Sequence, residues 1–209
     1  MNTTDFQPLQ KLPLGQPLIE LAEATSTNDV LRELAGQGAA EGTAVVAGLQ
    51  TRGRGRQHRP WHSPPGLGLY LSVLLRPPWP ASDSGALALL AGLAVATALQ
   101  RLGVPGVTLK WPNDVLAGGK KICGVLIEPA LRGDHIEHAV IGIGVNVRHG
   151  TAAFPPELRA TATSCALAGV DCTLAQARVA VLAALEGAYR RALRDGPASL
   201  YAAWTAVSS

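Results

Sequence analysis

The sequence is poor in aromatic residues, in charge and in sulfur. Of 209 residues only 4% are aromatic and 16% are charged, and the formal net charge of +3 is too small to indicate a nucleic-acid or anionic-membrane partner by itself. The three cysteines are odd in number, have no CxxC spacing and follow no signal sequence, so we interpret them as small buried hydrophobes in a reducing cytosol. The richest apolar run, at 86–99, lies between Asp83 and Arg101 and predicts a core helix rather than a membrane span.

The apolar content of 47% supports one globular domain over residues 1–209, and the order of predicted elements indicates an α+β fold. We expect a mixed or mainly antiparallel sheet covered by helices on one face. Ser26, Thr27 and Asn28 are predicted to cap a short helix that Gly36 stops, and Thr173 is predicted to cap a long one. The other predicted elements are strands at 43–50, 69–76, 107–111, 122–128 and 138–147 and a helix at 86–102.

Positive charge is concentrated between Arg52 and Arg59, where four arginines and two glycines lie in a loop that joins two predicted strands. Gly53 and Gly55 give the backbone freedom, while Arg54 and Arg56 offer forked donors suited to carboxylate or phosphate. This combination predicts a loop that encloses an anion. A solvated basic loop and an RNA-binding RG segment explain the same residues, so the loop alone does not decide between them.

The segment KWPND at 110–114 places a cation, an aromatic ring, an amide and a carboxylate at the end of a strand. Lys110 can neutralise a phosphate, and Asn113 can bind a nucleotide or orient a neighbour. Asp114 can hold Mg²⁺ or accept a proton from an attacking amine. Asn113 and Asp114 together are also typical of a simple turn.

Two later strands carry further candidates. Lys121 stands at the start of an apolar strand and is followed by Gly124, where a ligand can lie against the backbone. Asn146 lies inside an apolar strand, where its amide needs a partner, either a structural one or a nucleotide.

Taken in order, STN at 26–28, GRGR at 53–56 with Trp61, KWPND, KICG at 121–124 and GVN at 144–146 resemble the catalytic domain of the biotin protein ligases. The resemblance runs from about residue 16 to Trp204. It implies a class II aminoacyl-tRNA synthetase-like fold of the biotin/lipoyl ligase type. It also implies an enzyme that activates biotin with Mg-ATP to biotinyl-5′-AMP and transfers biotin to one lysine of the biotin carboxyl carrier protein of acetyl-CoA carboxylase.

The resemblance also implies roles for individual residues. The expected catalytic residues are Lys121, Arg56, Asp114 and Lys110, with Asp114 also the expected Mg²⁺ ligand. The expected biotin-binding residues are Ser26, Thr27, Asn28, Gln50, Gly53, Arg54, Gly55, Arg56, Tyr70, Ser72, Lys121 and Gly124. The expected ATP-binding residues are Arg56, Trp61, Lys110, Asn113, Asp114 and Asn146, with Trp61 stacking on adenine.

The chain departs from the family pattern at several points. Gln57 and His58 replace an arginine and a glycine of the usual loop, and Pro60 precedes Trp61, which removes charge and stiffens the loop. From the length of the chain we expect no N-terminal helix-turn-helix domain, hence no DNA partner, and an absent or truncated C-terminal SH3-like domain. We expect a cytoplasmic protein with no membrane partner, and a homodimer remains open.

Three alternatives stay open on the sequence. A lipoate or octanoate ligase-type acyltransferase would carry a different arginine–glycine signature and would lack KWPND. A catalytically idle module that binds biotin or the carrier would have no need for Arg54, Arg56, Lys110, Asp114 and Lys121. An RNA-binding RG loop predicts salt-sensitive binding to single strands and no apolar slot.

Overall fold

The computed structural model describes residues 13–205, apart from the side chain of His58, and contains one seven-stranded mixed sheet. The strands lie in the order β1-β2-β3-β7-β6-β5-β4. The β1–β2 pair is parallel, and the other five pairs are antiparallel. The strands are β1 (Leu18–Ala24), β2 (Ala44–Gln50), β3 (Gly68–Leu75), β4 (Val107–Lys110), β5 (Asp114–Ala117), β6 (Lys120–Arg132) and β7 (His135–Asn146).

The described residues form four α-helices, which pack on the sheet or on one another: α1 (Thr27–Gly36), α2 (Ala86–Arg101), α3 (Leu174–Asp195) and α4 (Ser199–Thr205). The side chains of successive strand residues point to opposite faces of the sheet, and each face has its own hydrophobic core. Val73 and Ile141 join the large core beneath α2 and α3. Leu74 and Val140 face the opposite side, where they pack with Leu31 of α1. The sheet is therefore covered on both faces, and the prediction of a single covered face is wrong.

The predicted core helix is confirmed. Of the described residues, Ala81–Arg101 is long and apolar enough to cross a membrane by length and composition, but most of this stretch is buried in the protein. The α4 helix packs directly on α2, because a Cβ at Gly92 would lie 2.7 Å from Trp204 Cζ3. The alanine-rich composition of α2 suits close packing against both the sheet and neighbouring helices.

Several local predictions are confirmed and others need correction. Thr173 caps α3 with a capping box to Gln176, and Gly118 and Gly119 have positive φ angles in the β5–β6 hairpin, as expected for a tight turn. Ser26 is the N-cap of α1, but its side chain makes no capping hydrogen bond. The neighbouring polar side chains of α1 are used for other contacts, described below. The β1 and β5 strands were missed, since both are short or of mixed polarity.

Register aligns one row of residues across five strands on the α1 side of the sheet. Tyr70 of β3 pairs with Gly144 of β7, which pairs with Gly124 of β6. Gly124 in turn pairs with Asp114 of β5, and Asp114 pairs with Lys110 of β4. Directly paired residues share a face, so this row crosses the sheet from an aromatic wall, over two glycines, to a carboxylate and an ammonium group.

Candidate active site

A cavity of about 640 Å³ lies above this row, on the same side of the sheet as α1. The arginine loop, the β5–β6 hairpin and residues 154–162 form its walls. Of the residues predicted for the site, Gly53 and Ser72 do not line the cavity. The others line the cavity: Ser26, Thr27, Asn28, Gln50, Arg54, Gly55, Arg56, Trp61, Tyr70, Lys110, Asn113, Asp114, Lys121, Gly124 and Asn146.

Three glycines make the floor of the cavity. A Cβ at Gly142 would lie 2.3 Å from Asn28 Oδ1, and one at Gly144 would lie 2.5 Å from Trp61 Nε1. At Gly124 the nearest atom would be Trp61 Cζ3, at 3.0 Å. The indole of Trp61 therefore lies over Gly144 and Gly124, and Gly124 is the glycine that we predicted for the biotin slot. Its Nε1 is buried and has no hydrogen-bond partner within the described part of the chain.

One end of the cavity is a closed network of polar side chains from α1, β2 and β3. The Thr27 backbone N–H donates to Gln50 Oε1 at 2.9 Å, and Gln50 Nε2 donates to Ser63 Oγ at 3.0 Å. The Ser72 hydroxyl, which is fully buried, donates to Asn28 Oδ1 at 2.6 Å. We call Ser26, Thr27, Asn28, Gln50 and Ser72 the polar end. Gln50 thus supplies an acceptor at the first turn of α1, where the N-cap residue Ser26 makes no side-chain capping bond.

The two central arginines of the loop differ in their surroundings. Arg54 donates to both oxygens of Asp29, at 2.7 and 2.8 Å, and to Glu128 Oε1 at 2.8 Å. The hydrogen bond from Arg54 lowers the pKa of Asp29, and the same bond raises the pKa of Arg54. Arg56 is exposed and makes a single long contact of 3.5 Å to Asn113 Oδ1. Arg54 thus anchors the loop, whereas Arg56 is available to a ligand.

A β-bulge directs Lys121 toward the cavity. Val115 pairs with Cys123, but the next residue, Leu116, pairs with Lys121, so Ile122 is an extra residue on β6. Without that extra residue, Lys121 and Gly124, three positions apart, would face opposite sides of the sheet. With it, Lys121 Nζ lies 2.6 Å from Asp114 Oδ1 and 5.5 Å from the centre of the Trp61 ring. Both partners of this ion pair remain partly open to solvent.

The two asparagines of the site have structural partners. Asn113 Nδ2 donates to the carbonyl of Val125 at 2.7 Å, and Asn146 Nδ2 donates to the carbonyl of Thr163 at 3.0 Å. The partner expected for the buried Asn146 amide is therefore a structural one. The side-chain oxygen of each asparagine is left for other contacts, so their nucleotide role stays a prediction.

Tyr70 closes the cavity opposite the charged groups. Its hydroxyl donates to the carbonyl of Pro64 at 2.9 Å, and burial raises its pKa. Tyr70 is therefore a neutral wall residue. The three cysteines, Cys123, Cys165 and Cys172, are free and buried, as interpreted from the sequence. Burial raises the pKa of each thiol, which makes them poor nucleophiles.

Several residues of the site were missed from the sequence. Gly142 and Gly144 alternate with apolar residues in IGIGVN, and this spacing could have indicated a floor, since strand glycines mark close approach. Asp29 and Glu128 gave no local signal, because their contacts join segments far apart in the chain. Phe154 lines the cavity and stacks on the buried His149 ring with centroids 4.8 Å apart. Both come from an irregular connection that periodicity does not describe.

A divalent cation is compatible with the donor set. Asp114 is the one carboxylate among the described residues that line the cavity, and no group of three or more acidic, histidine or cysteine side chains suited to a metal occurs among residues 13–205. Mg²⁺ at nucleotide sites usually takes one or two protein carboxylates and completes its shell with phosphate and water. A single carboxylate fits that pattern.

The chain matches the model of the biotin/lipoate A/B protein ligase family over residues 20–146. It is 43% identical over 151 residues to the bifunctional ligase/repressor BirA of Bacillus spizizenii, covering 72% of this chain and 46% of that protein. It is 39% identical over 142 residues to the biotin–[acetyl-CoA-carboxylase] ligase of Mycobacterium tuberculosis, covering 66% and 52%. The chain spans about half the length of these curated relatives.

Solved structures agree in fold. The biotin protein ligase of Aquifex aeolicus in complex with biotin and ATP superposes with a TM-score of 0.77 at 33% identity, covering 91% of this chain and 78% of that one. The ligase of Leishmania major in complex with biotinyl-5-AMP gives a TM-score of 0.73 at 28% identity, covering 92% and 81%. The predicted class II aminoacyl-tRNA synthetase-like ligase fold is confirmed.

Proposed function

The chain belongs to the biotin/lipoate A/B protein ligase family, and on that basis we propose that it activates biotin with ATP and transfers it to a lysine of a carrier protein. The observation that carries this proposal is the single row from Tyr70 over Gly144 and Gly124 to Asp114 and Lys110. The row joins an apolar slot to a charged side in one cavity. Such a cavity suits a ligand with an apolar body and a carboxylate that must meet a triphosphate.

In the first step, a biotin carboxylate oxygen attacks the α-phosphorus of ATP. The bond between the α-phosphorus and the oxygen bridging to the β-phosphate breaks, and pyrophosphate leaves with the electron pair. Two anions approach each other in this step, so cations must offset their repulsion and the charge that develops on the phosphoryl oxygens. Lys121 and Arg56 are the cations placed to do so, with Lys110 on the nucleotide side.

In the second step, the acceptor lysine amine attacks the acyl carbonyl of biotinyl-5′-AMP. An amide bond forms, AMP leaves, and the amine loses a proton. Asp114 is the carboxylate available to accept that proton. Asp114 already pairs with Lys121. Two roles are proposed for it: to take the proton or, with ATP bound, to contribute to holding Mg²⁺. Mg²⁺ would supply charge neutralisation on the phosphates, and Asp114 is the residue that would hold it.

The arginine loop is the proposed lid. Arg54 fixes its first half to Asp29 and Glu128, while the exposed Arg56 is free to fold onto the bound anion. An acyl-adenylate hydrolyses easily, and a closed loop would exclude water until the acceptor lysine arrives. Trp61 must leave the glycine floor when biotin enters, and adenine is the surface it would then cover.

The relatives support the finer parts of the proposal. One is named a biotin–[acetyl-CoA-carboxylase] ligase, so the carrier is proposed to be the biotin carboxyl carrier protein of that carboxylase. Free, buried cysteines among the described residues suit a cytoplasmic site of action.

Biotin-dependent ATP–pyrophosphate exchange on the 209-residue chain tests the proposal. We expect exchange with biotin and background exchange with lipoate and octanoate as parallel substrates. Exchange with lipoate or octanoate and not with biotin would mean that the chain activates a different acid from the one we propose. If no acid supports exchange, biotin calorimetry decides whether the slot binds biotin at all, and failure there refutes the proposal.

A further inference from the structure

Glu128 lies outside the cavity lining but joins two parts of the site. It is on β6, and its side chain is 24% exposed. Oε1 accepts from Arg54 Nη2 at 2.8 Å, and Oε2 accepts from Asn28 Nδ2 at 2.7 Å. One oxygen thus contacts the arginine loop and the other contacts the polar end, while Arg32 Nη1 of α1 lies 3.7 Å from Oε1.

The Asn28 contact fixes the polarity of the polar end. A carboxylate can only accept hydrogen bonds, so the NH₂ group of Asn28 must face Glu128 and its carbonyl oxygen must face Ser72. The Ser72 hydroxyl carries a single proton, and its 2.6 Å contact commits that proton to Asn28 Oδ1. The second contact of the Ser72 oxygen, at 2.8 Å, is to Thr27 Oγ1. The charge on Glu128 therefore sets which groups at this end donate and which accept.

The Arg54 contact holds the loop. Arg54 is only 21% exposed and is shared between Glu128 and Asp29. The backbone on either side closes on itself, because Trp61 N–H donates to the Gly53 carbonyl and Gly55 N–H to the Arg59 carbonyl. Loss of Glu128 would leave Arg54 bound to Asp29 alone. The fold should survive that loss, since Glu128 packs at the edge of the site and not in either core.

We propose that Glu128 is a positioning residue that ties the donor and acceptor pattern of the polar end to the closed base of the arginine loop. The proposal rests on the proposed function for its ligand, biotin, but the loop part of it needs no ligand. It also assigns Arg54 to the loop anchor, which leaves Arg56 as the loop arginine that meets the anion.

Glu128→Gln tests the proposal, with Glu20→Gln as the matched control. Glu20 is also a strand carboxylate in an ion pair, with Arg178, but it is far from the cavity. The new amide keeps the size of the side chain and replaces one acceptor by a donor. Either Arg54 loses its acceptor, or Asn28 must turn its amide and reverse the donor and acceptor pattern at Ser72. We expect the dissociation constant for biotin, measured by calorimetry without ATP, to rise about tenfold. The exchange rate at saturating biotin should fall less than the affinity does, because the change acts first on the polar end.

Trypsin supplies a measurement that needs no ligand, because it can cleave this loop after Arg52, Arg54 and Arg56; Arg59 precedes Pro60, where trypsin does not cut. We expect faster cleavage of this loop in Glu128→Gln and an unchanged rate in Glu20→Gln. Arg54→Lys should also speed cleavage, and the double variant should be cleaved no faster than the faster single variant if both act through the same ion pair.

The outcomes separate the two proposals. A protein that binds no biotin refutes the proposed function, and the trypsin rates still decide the role of Glu128 in the loop. A Glu128→Gln protein whose loop is cleaved at the original rate overturns the positioning role. So does a Glu128→Gln protein with unchanged biotin affinity when the unchanged protein binds biotin. Far-UV circular dichroism on each variant checks that the fold is retained.

Discussion

The two ends of the cavity are built in different ways. At the polar end, Asn28 and Ser72 are buried and bonded to protein partners, and the network continues to Glu128 and Arg54. At the charged side, Arg56 is exposed and Lys121 pairs with a carboxylate that is itself partly open. The first end is complete without a ligand, whereas the second has cations that an incoming anion could recruit. From this difference we infer that the polar end serves mainly to bind biotin and the charged side mainly to promote the reaction.

The largest effect is expected at the charged side, from Lys121→Ala. The charge on Lys121 matters most as the α-phosphate rearranges, so adenylate formation should fall about a hundredfold or more while biotin affinity changes little. Rapid-quench measurement of biotinyl-5′-AMP in a single turnover gives the rate. Lys120→Ala, at the exposed neighbouring residue, is the control and should keep the original rate. A fall in biotin affinity as large as the fall in adenylation rate would contradict the assignment of Lys121 to the reaction.

Gly144→Ala addresses the floor between the two ends. The added methyl group would lie 2.5 Å from Trp61 Nε1 and would rise into the slot. We expect the dissociation constant for biotin to rise at least about tenfold, because the ligand must then lie away from the sheet. Gly150→Ala is the matched control, since its φ of −81° suits alanine and a Cβ there would meet no atom within 4 Å. If Gly144→Ala and Gly150→Ala bound biotin equally well, biotin would not lie against Gly144.

Ser72→Ala tests the role of the polar end in stability and in biotin binding. It removes the hydroxyl that donates to Asn28 and leaves that buried carbonyl without its partner, which should cost about 1–2 kcal/mol in the free energy of unfolding. Biotin affinity should fall about tenfold, and the adenylation rate at saturating biotin should recover. Urea unfolding and calorimetry measure the two effects, with the exposed Ser82→Ala as control. A rate that stays low at saturation would mean that this end also takes part in the reaction.

The smallest effect concerns pH and the anchor of the loop. The hydrogen bond from Arg54 lowers the pKa of Asp29 below its ordinary value of 3.8. Its contribution to stability is therefore fully present above that value and is lost as pH falls through the lower folded-state pKa. Because Asp29 is partly exposed, we expect a contribution of at most about 1 kcal/mol.

Asp29→Asn should accordingly lower the free energy of unfolding near neutral pH and make no difference in strong acid. Urea titrations at about pH 7 and about pH 2 measure this. The exposed Asp134→Asn is the control and should show no such pH dependence. A difference that persists unchanged at the acidic pH would contradict the ion-pair explanation.

Local sequence predicted much of the fold, because helices, most strands and the hairpin follow from periodicity and turn chemistry. It also predicted most of the residues that surround one cavity, whose roles stay predictions. KWPND and the arginine loop also indicated which segments bring charged side chains to the cavity. The face that Lys121 occupies could not be predicted, since it depends on the extra residue Ile122 in β6 and hence on pairing with β5. The partners of Arg54 could not be predicted either, because Asp29 and Glu128 lie 25 and 74 positions away in the chain.

The position of Trp61 is a further case of long-range dependence. The sequence indicated an aromatic ring near a nucleotide, whereas in the structure the ring lies on Gly124 and Gly144. Strand register places those two glycines side by side, and only a floor without side chains leaves room for an indole. The ring occupies the space that we propose for biotin.

Single-turnover adenylation at saturating biotin tests most directly whether binding and reaction are divided between the two ends. Lys121→Ala and Ser72→Ala are compared with the unchanged protein in the same experiment. The division predicts that Ser72→Ala reaches the original rate once biotin saturates it and that Lys121→Ala stays slow at every biotin concentration. Equal recovery of both variants, or equal failure of both, would contradict it.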